Sequence, residues 1–268
     1  MTVVDDGTSA GESAVDWAAA EARLRRVPLR VLGTTSETDL ARSRHRLREH
    51  GAAAEFMTTT PRPDGPVEVA VRCAAGDASL LVAPPTVDPD VLASAPCPVA
   101  VVSSTAPGNA VYVGVAPWTG TAVLTAAVDE AALRGVELVA VRAWTDPRVD
   151  LGVITRRMLR RWDAATERAG HDLESALSAY RIGYPGVPIR SLVVQDDPAA
   201  LLPALSGEAG LFVVGRSERG LLARSLSGSP VAELVRAGRC PVLVVPEDVL
   251  VRRTLLPARG TRLARLAP

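Results

Sequence analysis

The chain has 268 residues, enough for one large or two ordinary domains, and its 30 Arg plus Lys balance its 30 Asp plus Glu, so no global field draws it to nucleic acid or to an anionic membrane. All of those cations are Arg, which excludes a Schiff-base lysine and the lysine of a P-loop. The three cysteines, Cys73, Cys97 and Cys240, are too few and too widely spaced for a disulfide framework or a zinc site. In chain order, short runs rich in Val and Leu predict strands over Thr2 to Val4, Leu29 to Leu32, Ala53 to Met57, Ser79 to Ala83 and Pro98 to Val102. A second set follows over Val111 to Val115, Leu138 to Arg142, Ile189 to Val194, Leu211 to Val214 and Pro241 to Val245. Helical periodicity falls between them, at Ser13 to Arg26, Thr121 to Arg134, Ile154 to Tyr180 and Pro198 to Ser206. Asp197 is placed to cap the last of these, because Pro198 behind it has no N–H to leave unpaired.

This alternation argues for parallel strands joined by crossover helices, and it occurs twice. The halves also repeat in sequence. Pro96-Cys97-Pro98-Val99-Ala100-Val101-Val102 returns as Arg239-Cys240-Pro241-Val242-Leu243-Val244-Val245, and Leu24-Arg25-Arg26-Val27-Pro28-Leu29 returns as Leu133-Arg134-Gly135-Val136-Glu137-Leu138. Two tandem domains are therefore expected, over 1–105 and 109–248, joined by a Ser-, Thr-, Pro- and Gly-rich linker between Ser103 and Asn109. Residues 249–268 form a tail in which arginines alternate with leucines, read as a loosely held terminus. The opening MTVVDDGTSAGES is acidic where a signal peptide is basic, and no apolar run approaches the ~20 residues that span a bilayer, so a cytoplasmic location is expected.

The stretch LFVVGRSERGLLARSLSGSPVAELVRAGRCPVLVVPE, from Leu211, carries the most chemistry. A strand ends at Gly215, a polar loop follows, and Gly228-Ser229-Pro230 opens a helix. Backbone N–H groups of such a loop, with a helix N-terminus behind them, can cradle phosphate oxygens. The stretch resembles the phosphate loop of the universal stress protein family, which reads Gly, two residues, Gly, nine residues, then Gly and Ser or Thr. Three of those four positions match, with Glu218 standing where the second glycine belongs. The resemblance spans nearly the whole chain, more faintly in the first half. It implies an α/β fold of two tandem Rossmann-like domains of the adenine nucleotide alpha hydrolase-like type, each a five-stranded parallel sheet with helices on both faces. It also implies the tandem arrangement found among actinobacteria, and a role in the stress response.

The resemblance makes Gly215, Arg216, Ser217, Arg219, Gly228 and Ser229 the candidate nucleotide-binding residues, with ATP as the ligand and weak affinity expected. Family members that hold ATP place an Asp at the end of the first strand, facing the adenine. That position is Asp6 in the first half and Ala116 in the second, and the first half reaches Cys97 through Pro84-Pro85-Thr86-Val87 with no glycine loop. Each half keeps one part of the site. The loop is therefore either a phosphate site or an inherited turn, and Asp6 is read as a surface or capping acid. No catalytic residue and no metal site is expected. His45, His50 and His171 lie on charge-rich helical segments, and no Ser-His-Asp set stands at usable spacing. Met158, Leu159 and Trp162 are expected to turn toward the sheet, leaving the neighbouring arginines in solvent.

Two readings follow. In one, the protein is a non-catalytic stress-response module that binds an adenine nucleotide through its second half. In the other, it is a ligand-free interaction or scaffold module with an unidentified protein partner. The last strands, Val99 to Val102 and Val242 to Val245, are expected to pair antiparallel across an approximate two-fold axis, making an intramolecular pseudo-dimer that could dimerise again.

Overall fold

The structure, a computed structural model, describes residues 1–33, 37–49, 54–58, 78–87, 92–93, 95–103, 108–145, 156–216 and 229–246. The strands are β1 (Thr2–Asp5), β2 (Leu29–Gly33), β3 (Ala54–Thr58), β4 (Leu81–Ala83), β5 (Val99–Val101), β6 (Ala110–Gly114), β7 (Leu138–Trp144), β8 (Ile189–Gln195), β9 (Ala209–Arg216) and β10 (Val242–Pro246). The helices described are α1 (Ser9–Arg25), α2 (Glu37–Glu49), α3 (Thr121–Arg134), α4 (Arg156–Gly183), α5 (Pro198–Leu205) and α6 (Pro230–Ala237). Every expected strand forms, with ends displaced by one or two residues. Helix α1 starts earlier than its periodicity suggests, because the Thr8 hydroxyl caps it by accepting from the Gly11 N–H at 3.1 Å.

The strands make one ten-stranded sheet in the order β3-β2-β1-β4-β5-β10-β9-β6-β7-β8. Pairing is parallel within β1 to β5 and within β6 to β10. At the joint, β10 runs antiparallel to β5 with Val242 opposite Val101, Leu243 opposite Ala100 and Val244 opposite Val99. The expected pairing of the two repeated strands is thus observed. It also covers two edges that would otherwise present unpaired N–H and C=O groups.

On one face of the sheet the two halves share a core. On the face carrying α1 and α3, a single buried cluster runs from Val3, Ala14 and Val15 in the first half to Val111, Val123, Leu243 and Val245 in the second. On the opposite face the two halves keep separate clusters, and Val235 of α6 packs against both.

The centre of the shared face holds four charges. Arg25 pairs with Glu21 one turn earlier at 2.6 Å and with Glu130 of α3, while Arg134 pairs with Glu130 and reaches Glu21 at 2.7 Å. The side chains of Glu21, Arg25 and Glu130 are at most 4% exposed, and that of Arg134 is 18% exposed. The repeat places Arg25 opposite Arg134 and Glu21 opposite Glu130, so the quartet is neutral and two-fold symmetric. Such burial costs desolvation, which each charge offsets only by facing two opposite ones.

One position breaks the symmetry. Arg26 ends α1 with φ 55°, where α3 ends on Gly135 with φ 66°. A side chain in that left-handed conformation costs about 1–2 kcal/mol that glycine does not incur, part of which glycine returns through its freer unfolded chain. Arg26 is exposed, so nothing is lost in packing. Arg26→Gly is expected to raise stability by about 1 kcal/mol; an unchanged or lower urea midpoint would contradict this account of the cap.

Helix α4 departs from expectation on one side chain. Leu159 is 46% exposed rather than turned inward, and the first buried residue in the described part of this helix is Ala169. The side chain of Met158 lies outside the described residues.

Candidate nucleotide site

In an open parallel sheet, ligands enter where the strand order reverses, outside the carboxyl ends of the strands. The first half reverses between β1 and β4, and the second between β6 and β9. In the first, Asp6 meets the turn after β4; in the second, the turn that begins at Ala116 follows β6, which is paired with β9.

In the first crevice the chain occupies its own donors. The Asp6 carboxylate accepts from the Thr8 N–H at 3.0 Å, from the Thr8 hydroxyl at 2.6 Å and, through its other oxygen, from the Thr86 hydroxyl at 2.6 Å. Burial pushes the Asp6 carboxyl up, but these hydrogen bonds outweigh it and hold it below the usual carboxylate value. Gly11 permits this arrangement, since a Cβ there would stand 2.3 Å from the Asp6 oxygen. Asp5, directly before it, accepts from the Gly7 N–H at 3.0 Å and from the Ser43 hydroxyl. Asp6 is therefore a turn-forming acid, while the cap of α1 is Thr8. Thr86, which ties the Pro84-Pro85 turn to it, gave no signal in the sequence.

In the second crevice, Ala116 begins a turn in which its N–H donates to the Thr119 hydroxyl at 2.8 Å. No carboxylate stands on that turn. Beside it, Arg142 of β7 donates through Nη1 to the Val115 carbonyl at 3.3 Å. Burial pushes the Arg142 guanidinium pKa down, and the charge of Asp172 on α4 opposes this in part. Sequence reasoning passed over Arg142, because an isolated Arg near the end of a strand looks like a solvated edge.

Gly215 and Arg216 close β9, paired in register with Val245 and Pro246 of β10. The Arg216 guanidinium crosses to the first half, donating to the Ala95 carbonyl at 2.5 Å and to the Leu92 carbonyl at 3.5 Å. Ser229 is the N-cap of α6, extended at φ −75° and ψ 129°, with Pro230 next and no hydrogen bond from its side chain to the helix. Ser217, Arg219 and Gly228, together with Glu218, lie outside the described residues. So do the tail 249–268, Cys73 and His50. His45 and His171 are exposed. No group of three or more His, Cys, Asp or Glu among the described residues could hold a metal ion, and no described helix is long and apolar enough to cross a membrane.

The two described thiols precede β5 and β10 as symmetry mates, both buried. Burial pushes Cys97 up to about 11 and Cys240 up to about 12. Almost no thiolate then exists at pH 8, so both are expected to resist a disulfide reagent in the native protein and to react on unfolding. Peptide mapping that found either one labelled within minutes under native conditions would refute this.

A β-sheet joined at two repeated edge strands, with each crevice at a reversal of strand order, has counterparts among known proteins. The universal stress protein family pattern matches residues 111–246. Universal stress protein Rv2005c of Mycobacterium tuberculosis (strain ATCC 25618 / H37Rv) is 30% identical and covers 91% of this chain and 95% of its own length. Universal stress protein MT2052 of Mycobacterium tuberculosis (strain CDC 1551 / Oshkosh) is 27% identical over 92% of this chain and 95% of its own. The chain therefore belongs to the universal stress protein family. Among solved structures, a universal stress protein from Archaeoglobus fulgidus DSM 4304 superposes with a TM-score of 0.63 at 15% identity, covering 92% of this chain and 98% of that one. A protein of unknown function from Pseudomonas aeruginosa PAO1 superposes at 0.60, also at 15% identity, with 95% of each chain covered. These two agree with the fold class expected from the sequence.

Proposed function

We propose that this universal stress protein acts by binding rather than catalysis, in the cytoplasm, and that its second half takes an adenine nucleotide weakly through Gly215 to Ser229. Domain limits at 1–105 and 109–248, with a tail over 249–268, accompany this reading. The observation that carries it is the start of α6. Ser229 does not cap the helix with its side chain, so the first-turn N–H groups, with Pro230 supplying none, have no cap from it. A helix start of that kind suits a phosphate. Arg216, Ser217, Arg219 and Gly228 complete the proposed cradle.

The competing reading, a ligand-free interaction module, draws on two contacts. Asp6 is engaged by Thr8 and Thr86, and Arg216 is engaged by the first half. Calorimetric titration with ATP separates the two. Removing the carboxylate with Glu218→Gly is expected to tighten ATP binding about fivefold, because a like charge beside the phosphates costs roughly 1 kcal/mol at a solvated site. Gly228→Val should erase the gain. No heat from ATP with either wild type or Glu218→Gly would leave the interaction module standing.

A further inference from the structure

The crevice end of β7 is rich in donors. Side chains alternate along a strand, so Arg142 and Trp144 share the face of Leu138 and Ala140, which belong to the shared core, while Val139 and Val141 turn to the other face. The Nε of Arg142 and the Nε1 of Trp144 are buried and make no hydrogen bond. Arg142 is spent only in part, through Nη1 on the Val115 carbonyl, directly before Ala116. The described turn from Ala116 to Gly120 contains no carboxylate to accept from an amino group, and its Thr119 hydroxyl and Ala116 carbonyl already accept from the turn's own N–H groups. It does present Trp118, 50% exposed on the turn that follows β6.

Leaving buried donors unpaired is costly, which favours a ligand that brings acceptors. Adenine offers an amino donor beside its N7 acceptor, and that donor would meet a guanidinium. Guanine offers two adjacent acceptors, O6 and N7, which match the fork of an arginine. An exposed indole supplies a stacking surface for either base without choosing between them.

We propose that Arg142 is a specificity-determining residue of the second crevice and selects a guanine-type base edge over adenine. The inference rests on the reading of that crevice as a nucleotide site and names its preferred base. The weak ATP affinity of that reading then has a cause at the base end as well as at the phosphate end.

Titration of the full-length protein with GTP and with ATP tests it. Wild type is expected to bind GTP about tenfold more tightly, within the range of one good bidentate arginine contact. Arg142→Met should bring the two nucleotides to within about twofold, with the residual phosphate-driven affinity retained. If Arg142→Met fails to melt cooperatively, Arg142→Lys takes its place; it keeps the charge and the stem, loses the fork, and should lose most of the preference. The ratio of the two affinities reports on the base contact, whereas a general loosening of the protein would weaken both nucleotides alike. Equal binding of the two by wild type, a preference for ATP, or a ratio unchanged in the variant overturns the inference and leaves the nucleotide reading intact. Binding of neither nucleotide overturns both.

Discussion

Replacing Arg25 with alanine is expected to cost about 3–5 kcal/mol of folding stability, read as a lower midpoint of urea denaturation at unchanged slope. The loss comes less from the missing attraction than from what remains. Glu21 and Glu130 would stay buried with Arg134 as their only shared cation, and a buried carboxylate without a full complement of donors is the expensive state. The effect should persist at high salt, since mobile ions screen exposed pairs and not buried ones. Replacing all four, as Glu21→Leu, Arg25→Met, Glu130→Leu and Arg134→Met, should recover most of the stability, because the desolvation cost disappears with the charges. A loss below about 1 kcal/mol for Arg25→Ala would mean that the quartet behaves as a surface pair and that water reaches it.

Placing a charge on the joint should have an even larger effect. Leu243 is 3% exposed, stands opposite Ala100 in the antiparallel register, and belongs to the cluster that both halves share. Leu243→Asp is expected to destabilise the protein by more than about 4 kcal/mol, since a carboxylate there has no counter-charge and opens a cavity. The mutation is in the second half, yet the first half should unfold with it. Trp17 of α1 packs against the same cluster, so its fluorescence in an otherwise Trp-free background should report the same shifted midpoint as a probe in the second half. Two separate transitions, with Trp17 unmoved, would show that the halves have independent cores.

Much of the fold was legible because its signals are local. Val-rich runs bounded by turn residues gave every strand, Asp197-Pro198 gave a helix start that the structure realises with the Asp197 carboxylate accepting from the Ala199 N–H at 3.2 Å, and the repeated Cys-Pro-Val strands gave the antiparallel joint. The repeat even displayed Arg25 and Arg134 as equivalent positions. What it could not display was that they meet, since two exposed helix faces and two faces buried against each other share one amphipathic pattern when the buried charges are paired. The candidate site was legible only in outline. Ala116 and Gly215 were grouped only through the resemblance, since no local signal in the sequence joins them. The destinations of Arg216 and Thr86 were hidden: a guanidinium that reaches the Ala95 carbonyl and a hydroxyl that reaches Asp6 are choices of rotamer, and composition carries no record of them.

The antiparallel joint also settles direction. Strands β1 to β5 point one way and β6 to β10 the other, so the carboxyl ends that form the two crevices open at opposite poles of the molecule. The Arg216 clamp fits this polarity, because the end of β9 lies beside the residues that lead into β5 rather than those that leave it. An occupant of the Ala116 crevice and a protein seated near Asp6 would therefore never compete for space. Neither could one touch the other directly, so any influence between them would have to pass as strain through a shared sheet whose centre is fixed by four charges.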